Sequence, residues 1–233
     1  MKRIAIITDI HGNLEALIAV INDIKNKKIH EIICLGDTIN LGPNSKECID
    51  LLIDNNIKSV LGNHEIYLLK DFNNNLNEES KHYNYIKQTL TDKEINYIKT
   101  CPLYYEIKYE TSKKIILCHY LLNDINNKYP FEQTNLKNDI NLLKKYNNEN
   151  ISYIIGHLHT SIKDLNTFSN INIVDSLGCT KDEYTSYMIL EISKNISYKK
   201  VKVKYNRTKF INKILNLDFP DKQNILKIFY DIK

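Results

Sequence analysis

Five of the seven histidines in this chain come directly after apolar runs that predict β-strands: His11, His64, His119, His157 and His159. Two aspartates, Asp9 and Asp37, occupy the same kind of position. The chain has only six glycines, and four of them adjoin one of these residues or Asn63: Gly12, Gly36, Gly62 and Gly156. Glycine lets a chain turn tightly and approach a ligand closely. The pattern therefore predicts a binding site built from these loops, and imidazole and carboxylate groups are typical metal ligands.

The spacing of the polar residues indicates how they would converge. Asp9 and His11 are separated by one apolar residue, and so are His157 and His159. In an extended chain both members of such a pair leave the same face. The seven candidate ligands are these two pairs together with Asp37, Asn63 and His119. That number is too large for one tetrahedral zinc ion and fits two divalent ions that share a bridging carboxylate.

The elements that would hold these residues alternate between strand and helix. The pattern predicts strands at 2–8, 31–36 and 57–62, each followed by a loop and a helix, with helices at 14–27, at 46–55 and from about residue 65. Such alternation predicts parallel strands with helices on the faces of the sheet, and ligands of such sheets bind beyond the carboxyl ends of the strands. All three loops would lie there.

The rest of the chain predicts a helical stretch, a strand pair and a second sheet. Residues 73–100 are expected to be helical, 103–109 and 113–119 to be paired strands, and 131–146 to be another helix. From residue 151 short strands follow, and we expect them to form a second sheet packed on the first. The fold class is therefore α/β, with two packed mixed β-sheets flanked by helices in an αββα sandwich. We expect one domain over 1–205 and two amphipathic helices over 206–233 packed on it.

Composition narrows the class of protein. A length of 233 residues with 42% hydrophobic content is enough for one sizeable core. The first apolar run meets Asp9 and His11 before it is long enough for a signal peptide or a membrane span. Five isolated cysteines without a C-x-x-C pair are typical of reduced thiols, so we expect a cytoplasmic protein with no membrane partner. A net charge of +4 without a basic stripe argues against a nucleic-acid partner.

Five short segments, taken in order, resemble the motifs of a known family. They are T-D-I-H-G (8–12), L-G-D (35–37), L-G-N-H-E (61–65), C-H-Y (118–120) and I-G-H-L-H-T (155–160). This order resembles the motifs D-x-H, G-D, G-N-H-[DE], H and G-H-x-H of the calcineurin-like metallophosphoesterase superfamily. The resemblance spans residues 3–194, and the run after Leu35 is similar to the small bacterial phosphoesterase branch.

The resemblance implies a role for each motif residue. Asp9, His11 and His159 would hold a first metal ion, Asn63, His119 and His157 would hold a second, and Asp37 would bridge them. We expect two Mn²⁺ ions, with Fe, Zn, Ni or Mg as alternatives. A water held between two such ions, about 3.5–4 Å apart, loses a proton near neutral pH and attacks phosphorus in line. His64 would stay free of metal and protonate the leaving oxygen as general acid.

The sequence also departs from the family. The protein serine/threonine phosphatase and symmetric dinucleoside-tetraphosphatase branches have Asp and Arg where this chain has Asn40 and Leu41. A phosphate-clamping arginine and the carboxylate that steadies the catalytic histidine are therefore both replaced. The segment after His119 differs as well, and residues 120–150 are expected to form a wall of the substrate pocket. Candidate substrate contacts are Asn13, Asn40 and Tyr120.

The sequence thus predicts a dinuclear-metal phosphoester hydrolase, a phosphatase or phosphodiesterase acting on small or medium phosphate esters that include nucleotides. A dinucleoside polyphosphate hydrolase and a protein serine/threonine phosphatase are alternatives within the family. A noncatalytic protein-binding scaffold with the same fold is an alternative of another class, and a nuclease is a third. The oligomeric state is not readable from the sequence.

Overall fold

The computed structural model describes residues 1–70, 78–121, 149–159, 170–218 and 220–232. Helical residues predicted between 73 and 77, the helix predicted at 131–146 and the strand predicted at 161–165 lie outside the described residues. None of the helices in the described ranges is long and apolar enough to cross a bilayer.

The first half of the chain forms the predicted strand–loop–helix units. Strands β1 (Lys2–Ile7), β2 (Glu31–Cys34) and β3 (Lys58–Ser59) are parallel neighbours. Helices α1 (Leu14–Lys25), α2 (Ser45–Asp54) and α3 (Asn63–Leu69) follow them in turn. The three loops that carry the first three motifs therefore lie at the carboxyl ends of these strands, as predicted.

A second sheet begins earlier in the chain than the sequence pattern suggested. Helices α4 (Glu78–Thr89) and α5 (Asp92–Thr100) lead into strands that are ordered β4-β5-β6-β7. These strands are β4 (Tyr104–Lys108), β5 (Lys114–Cys118), β6 (Ile151–Ile155) and β7 (Ile171–Ile173). Strands β4 and β5 are antiparallel, whereas β5, β6 and β7 are parallel. The parallel strands again place their carboxyl ends at one edge.

The last two strands correct the prediction that every strand after residue 151 belongs to the second sheet. Strands β8 (Tyr184–Ile192) and β9 (Ile196–Lys204) return to the first sheet, whose order is β3-β2-β1-β8-β9. Strand β8 is antiparallel to β1 and is largely buried, as expected for a strand inside a sheet. The local pattern of a strand shows which residues it buries, but not which strand it pairs with.

The two sheets pack face to face because alternate residues of β1 serve two cores. Ile4 and Ile6 contact the second sheet through Ile115 and Leu117, and all four are almost completely buried. The alternate residues of β1 face the helices on the opposite side of the sheet. This arrangement confirms the predicted fold class of two mixed sheets flanked by helices.

Two helices end the described chain, α6 (Arg207–Asn216) and α7 (Lys222–Tyr230). Phe210 and Tyr230 are fully buried in the core that also contains the apolar face of α1. Lys213 forms an ion pair of 2.6 Å with the buried carboxylate of Glu15 on α1. These contacts join the terminal helices to the first sheet, and the division of the chain into 1–205 and 206–233 stays a prediction.

Candidate metal centre

The motif loops are joined to one another by backbone hydrogen bonds beyond the ends of the strands. The amide of Asp9 donates to the carbonyl of Gly36 at 3.0 Å, and the amide of His11 donates to that of Asp37 at 3.0 Å. In the second sheet the amide of Gly156 donates to the carbonyl of His119 at 3.0 Å. The parallel ladders thus continue into the loops and hold the polar side chains at a common edge.

Three side chains form a first group of ligand atoms. His11 Nε2 and His159 Nε2 are 3.1 Å apart, and His159 Nε2 lies 3.4 Å from Asp9 Oδ1. His11 Nε2 lies 3.7 Å from the same oxygen. Nitrogen and oxygen ligands stand about 2.0–2.2 Å from a zinc ion, so atoms about 3–4 Å apart fit the corners of one coordination shell. The three atoms therefore could hold one ion.

A second group lies beside the first. His119 Nε2 is 3.0 Å from Asn63 Oδ1 and 3.1 Å from Asp37 Oδ2. Ligand atoms of Asp37, His119 and His157 all lie within 4.8 Å of one another. Asp37 Oδ2 is also 4.0 Å from His11 Nε2 in the first group. The structure thus brings all seven predicted ligands together and puts the Asp37 carboxylate between the two groups.

The carboxylate of Asp9 has one satisfied oxygen and one that faces the other ligands. Oδ2 accepts hydrogen bonds from Thr8 Oγ1 at 2.7 Å and from the amide of His157 at 3.0 Å. Oδ1 is buried, and nothing among the described residues donates a hydrogen bond to it. A buried carboxylate oxygen without a partner is costly. A cation at this point would remove that cost, so the residues present fit a metal ion.

Two ligand imidazoles are oriented from behind by backbone carbonyls. His119 Nδ1 lies 2.7 Å from the carbonyl of Leu35, and His11 Nδ1 lies 3.2 Å from that of Ile39. Donation from Nδ1–H to a carbonyl leaves Nε2 without a proton and able to bind metal. In both residues Nε2 is the atom that faces the other ligands.

The ligand residues have strained backbone conformations. Positive φ angles occur at Asp9 (51°), His11 (48°), Asp37 (52°), His157 (65°) and His159 (60°). The left-handed region is unfavourable for residues other than glycine, and each costs roughly 1–3 kcal/mol. Strain repeated at five ligand positions indicates that the loops are shaped for binding rather than for minimal backbone energy.

The charges of the group are strongly coupled. Burial by itself raises the pKa of Asp9, but contacts with His11 and His159 outweigh it and hold the pKa well below its usual value. Burial lowers the pKa of His119, but the Asp37 carboxylate outweighs it and raises the pKa to about 9. The two buried carboxylates therefore require positive charge beside them, which divalent cations supply.

His64 stands at the rim of this group. Its Nε2 lies 3.8 Å from Asp37 Oδ2, and its side chain is 14% exposed. Burial lowers the pKa of His64 to about 3 against the opposing attraction of Asp37. Ligand atoms of His11, Asp37 and His64 also lie within 4.8 Å of one another, so His64 adjoins the metal centre.

The nitrogen of His64 that faces away from Asp37 contacts Asn40 and Tyr83. Nδ1 lies 2.6 Å from Asn40 Nδ2 and 2.5 Å from the hydroxyl of Tyr83 on α4. Asn40 Oδ1 is buried and has no hydrogen-bond partner among the described residues. If the amide is turned over, Oδ1 accepts the Nδ1–H proton of His64, and amide orientation is assigned by such networks. Asn40 therefore contacts the imidazole in the position expected of the missing carboxylate.

Two further predictions concerned residues around the ligands. Asn13 is fully buried, caps α1 through the amide of Ala16 at 3.1 Å and donates to the carbonyl of Gly178 at 2.9 Å. Both polar groups of its side chain are used inside the protein, so we do not place it among the substrate contacts. Tyr120 is buried with its ring 5.6 Å from that of His157.

Glu65, the last residue of the L-G-N-H-E segment, has a buried side chain between two of the motif loops. Its carboxylate accepts hydrogen bonds from the amides of Gly62, Asp37 and Thr38 at 2.8–2.9 Å. It therefore caps α3 and at the same time fastens the L-G-D loop. The sequence did not show this second contact, because it joins residues 28 positions apart.

Two residues of the site were missed by sequence reasoning. Tyr83 belongs to a helix without any motif, and nothing in the pattern distinguishes it from the other 15 of the 16 tyrosines. Cys179 has a ligand atom within 4.8 Å of those of His11 and His159. A signal for it was present, because Gly178 precedes it in the same way that glycines adjoin the ligands in four other loops.

Comparison with known proteins agrees with this geometry. The model of the calcineurin-like phosphoesterase family matches residues 2–194. The chain belongs to this family. Its members typically bind divalent metals, and the His and Asp groups described above are able to do so. The resemblance seen in the motifs is thereby confirmed, while the branch within the family stays a prediction.

Individual relatives support the fold. The uncharacterized protein MJ0912 of Methanocaldococcus jannaschii is 38% identical over 124 residues, which are 50% of this chain and 48% of that protein. The match therefore spans about half the length of that relative. A metallophosphoesterase from Sphaerobacter thermophilus superposes with a TM-score of 0.72 at 21% identity, covering 96% of this chain and 98% of the other. The protein PH1004 of Pyrococcus horikoshii OT3 gives 0.76 at 16% identity, covering 99% and 98%.

Proposed function

We propose that this protein hydrolyses phosphate esters with two divalent metal ions, held by the seven residues that the sequence predicted. Asp9, His11 and His159 would hold the first ion, Asn63, His119 and His157 the second, and Asp37 both. The observation that carries the proposal is Asp9 Oδ1, which is buried among three imidazoles without a hydrogen-bond donor in the described part of the chain.

Bound at this position, the ions supply Lewis-acid stabilisation of the phosphoryl oxygens and a water whose pKa is lowered toward neutrality. The protein's own residues fix the geometry of this chemistry. Thr8 and the His157 amide hold Asp9 Oδ2, which keeps Oδ1 turned inward. The amide of His64 donates to Asp37 Oδ1 at 3.0 Å and leaves Oδ2 for the shared position.

His64 would act as the general acid once the negative charge of a bound phosphate ester raises its pKa, which burial otherwise holds low. It adjoins the centre without being needed as a ligand, and Nε2 faces Asp37 while Nδ1 contacts Asn40 and Tyr83. An imidazole gripped at Nδ1 is fixed in rotation, so that Nε2 points at the space where a leaving oxygen would stand. We assign Asn40 and Tyr83 as positioning residues for His64, not as groups that touch the reacting atoms.

The proposed substrate class follows from the net charge of the metal-loaded site and from the leucine at position 41. Two divalent ions and the two carboxylates of Asp9 and Asp37 leave about two net positive charges, which suits a phosphate anion. Leu41 stands where the family's phosphatases carry a clamping arginine, so we favour small or medium diesters and nucleotide-type esters over phosphoproteins. A protein described as a candidate diadenosine tetraphosphatase superposes with a TM-score of 0.62 at 18% identity, which supports the fold alone.

The remaining expectations are also proposals. We expect Mn²⁺ in the assayed protein, with Fe, Zn, Ni or Mg as alternatives, and a cytoplasmic setting because all five cysteines are free. A noncatalytic scaffold is the alternative of another class. It is disfavoured by the presence of the complete ligand set and of His64, since a protein used only for contacts has no need of that geometry.

The direct test compares hydrolysis of mono- and bis-p-nitrophenyl phosphate in protein loaded with Mn²⁺. On an ester with a poor leaving group, such as an alkyl or nucleoside phosphate ester, His64→Ala should lower the rate by about 10²–10⁴-fold while both ions remain bound. The matched control is His30→Ala, which removes an exposed histidine that contacts Arg3 at the opposite end of β1. No hydrolysis of either ester by metal-loaded protein would refute the proposal. An undiminished rate in His64→Ala would remove His64 from the mechanism.

A further inference from the structure

The first metal position has a neighbour that the family motifs do not include. Cys179 follows β7 in a loop, and its Sγ lies within 4.8 Å of the ligand nitrogens of both His11 and His159. A thiol is therefore present beside two of the three ligands of the first group.

The backbone around Cys179 is held by the same segments that carry the first ligands. The amides of Leu177 and Gly178 donate to the carbonyls of Thr8 and Asp9, both at 2.9 Å. Ser176 connects Asp9 to Cys179, because its Oγ donates to the Asp9 carbonyl at 2.8 Å and accepts from the Cys179 amide at 2.8 Å. The position of Cys179 is thus fixed relative to Asp9.

Glycine is required immediately before Cys179. A Cβ at position 178 would lie 1.8 Å from the carbonyl oxygen of Ile10, between the first two ligands of the D-x-H motif. The loop therefore approaches that motif as closely as a backbone can. This close approach brings the thiol beside the imidazoles, in the way that Gly156 brings His157 beside Asp9.

The terminal helix α7 covers this side of the site. The hydroxyl of Tyr230 lies 4.0 Å from Cys179 Sγ, and the ring of Phe229 is 5.8 Å from that of His159. Tyr230 is fully buried, while Cys179 is half-buried. The surroundings of the thiol therefore combine two imidazoles and aromatic groups.

We propose that Cys179 provides a thiolate ligand to the first metal ion, beside Asp9, His11 and His159. With zinc–sulfur and zinc–nitrogen distances of about 2.3 and 2.1 Å, a sulfur and a nitrogen on one tetrahedral zinc ion stand roughly 3.6 Å apart. Cys179 Sγ lies within 4.8 Å of both imidazole nitrogens, so it would need to move toward them by no more than about 1 Å to bind the same ion. Binding releases the thiol proton to solvent, as thiolate coordination does generally.

This ligand makes the two metal positions chemically different. Thiolate favours softer ions such as Zn²⁺, Fe²⁺ and Co²⁺ over Mn²⁺ and Mg²⁺, whereas the second position offers an amide oxygen, two imidazoles and a carboxylate. The first position is therefore selective for a softer, tightly held ion, and the second accepts a harder and more exchangeable one. The additional negative charge also lowers the net charge of the loaded site from about two to about one. The inference rests on the proposed metal centre and refines its first position.

The test uses Co²⁺ added to metal-free protein, because a cobalt–thiolate bond gives an intense near-ultraviolet charge-transfer band. The wild type should show this band, and Cys179→Ser should lose it while still binding cobalt. Cys101→Ser is the matched control, since Cys101 is half-buried as well but donates to the Tyr97 carbonyl at 3.4 Å. Zn²⁺ affinity should fall at least about tenfold in Cys179→Ser, with a smaller change for Mn²⁺.

A second readout needs no variant. Alkylation of the wild type, followed by mass spectrometry, should label Cys179 in metal-free protein and spare it after Zn²⁺ is added, with Cys101 labelled equally in both. Bound cobalt without the sulfur band would overturn the proposal and leave the metal centre standing. Failure of the wild type to bind any of these ions would overturn both. A band that persists in Cys179→Ser would assign the sulfur to another cysteine and refute the inference as well.

Discussion

Removal of the Tyr83 hydroxyl tests how this protein orients its general acid without the family's carboxylate. In Tyr83→Phe the ring stays in place, while His64 Nδ1 loses a partner at 2.5 Å and retains Asn40 at 2.6 Å. A buried hydrogen bond contributes about 0.5–1.5 kcal/mol. Because Asn40 remains, we take about 1 kcal/mol, which corresponds to a roughly fivefold fall in kcat.

The leaving group separates orientation of the acid from a general structural effect. p-Nitrophenolate departs with little help from a proton donor, whereas an alkoxide leaving group requires one. Tyr83→Phe should therefore lower kcat by the full factor of roughly five for an alkyl or nucleoside ester, and by much less for p-nitrophenyl phosphate. KM and metal content should be unchanged, because the hydroxyl contacts the nitrogen that faces away from the centre.

A control variant and a double-mutant cycle test whether the effect of Tyr83→Phe depends on His64. Tyr85→Phe changes a tyrosine two residues later in α4, whose ring packs against His82, and should leave kcat unaltered. In a His64→Ala background Tyr83→Phe should have no further effect, since its only route to the reaction has been removed. An equal loss on both kinds of ester, or a loss that persists without His64, would refute the assigned role.

Three further outcomes are expected. Chelation of the metal should abolish hydrolysis and lower the melting temperature, because an ion at 100 times its Kd stabilises the folded protein by about 2.7 kcal/mol. Calorimetry with and without chelator measures the melting temperature, and equal values would contradict this prediction. Gly156→Ala should weaken metal binding and lower the free energy of unfolding by about 1–3 kcal/mol, since its Cβ would lie 2.0 Å from Thr8 Oγ1 and 2.8 Å from Asp9 Oδ2. Titration with Mn²⁺ and urea denaturation test these two effects. Lys213→Ala should destabilise the fold by about 1–3 kcal/mol, because it removes positive charge from beside the buried Glu15 carboxylate. A denaturation midpoint equal to that of the wild type would show that the ion pair is dispensable.

The sequence was most informative where chemistry depends on short-range spacing. Asp9 and His11 are two residues apart and both reach the first ligand group, although through left-handed backbone and not through the extended chain that the spacing suggested. A glycine beside four of the seven ligands permits the close approach that the loops show. Strand–helix alternation likewise implied parallel strands, which forces the loops after β1, β2 and β3 to a common edge. These relations hold within about ten residues, so a linear pattern can express them.

What only the tertiary structure decided involves partners far apart in the chain. The hairpin after residue 183 pairs with β1 because sheet pairing depends on which edges are available in three dimensions, which strand composition does not reveal. Tyr83 reaches His64 from a helix without a motif, and Cys179 reaches His159 through a loop tied to Asp9 some 170 residues earlier. The sequence thus determined which groups are able to bind metal, and folding decided which other groups surround them, because contact is a property of distance in space and not along the chain.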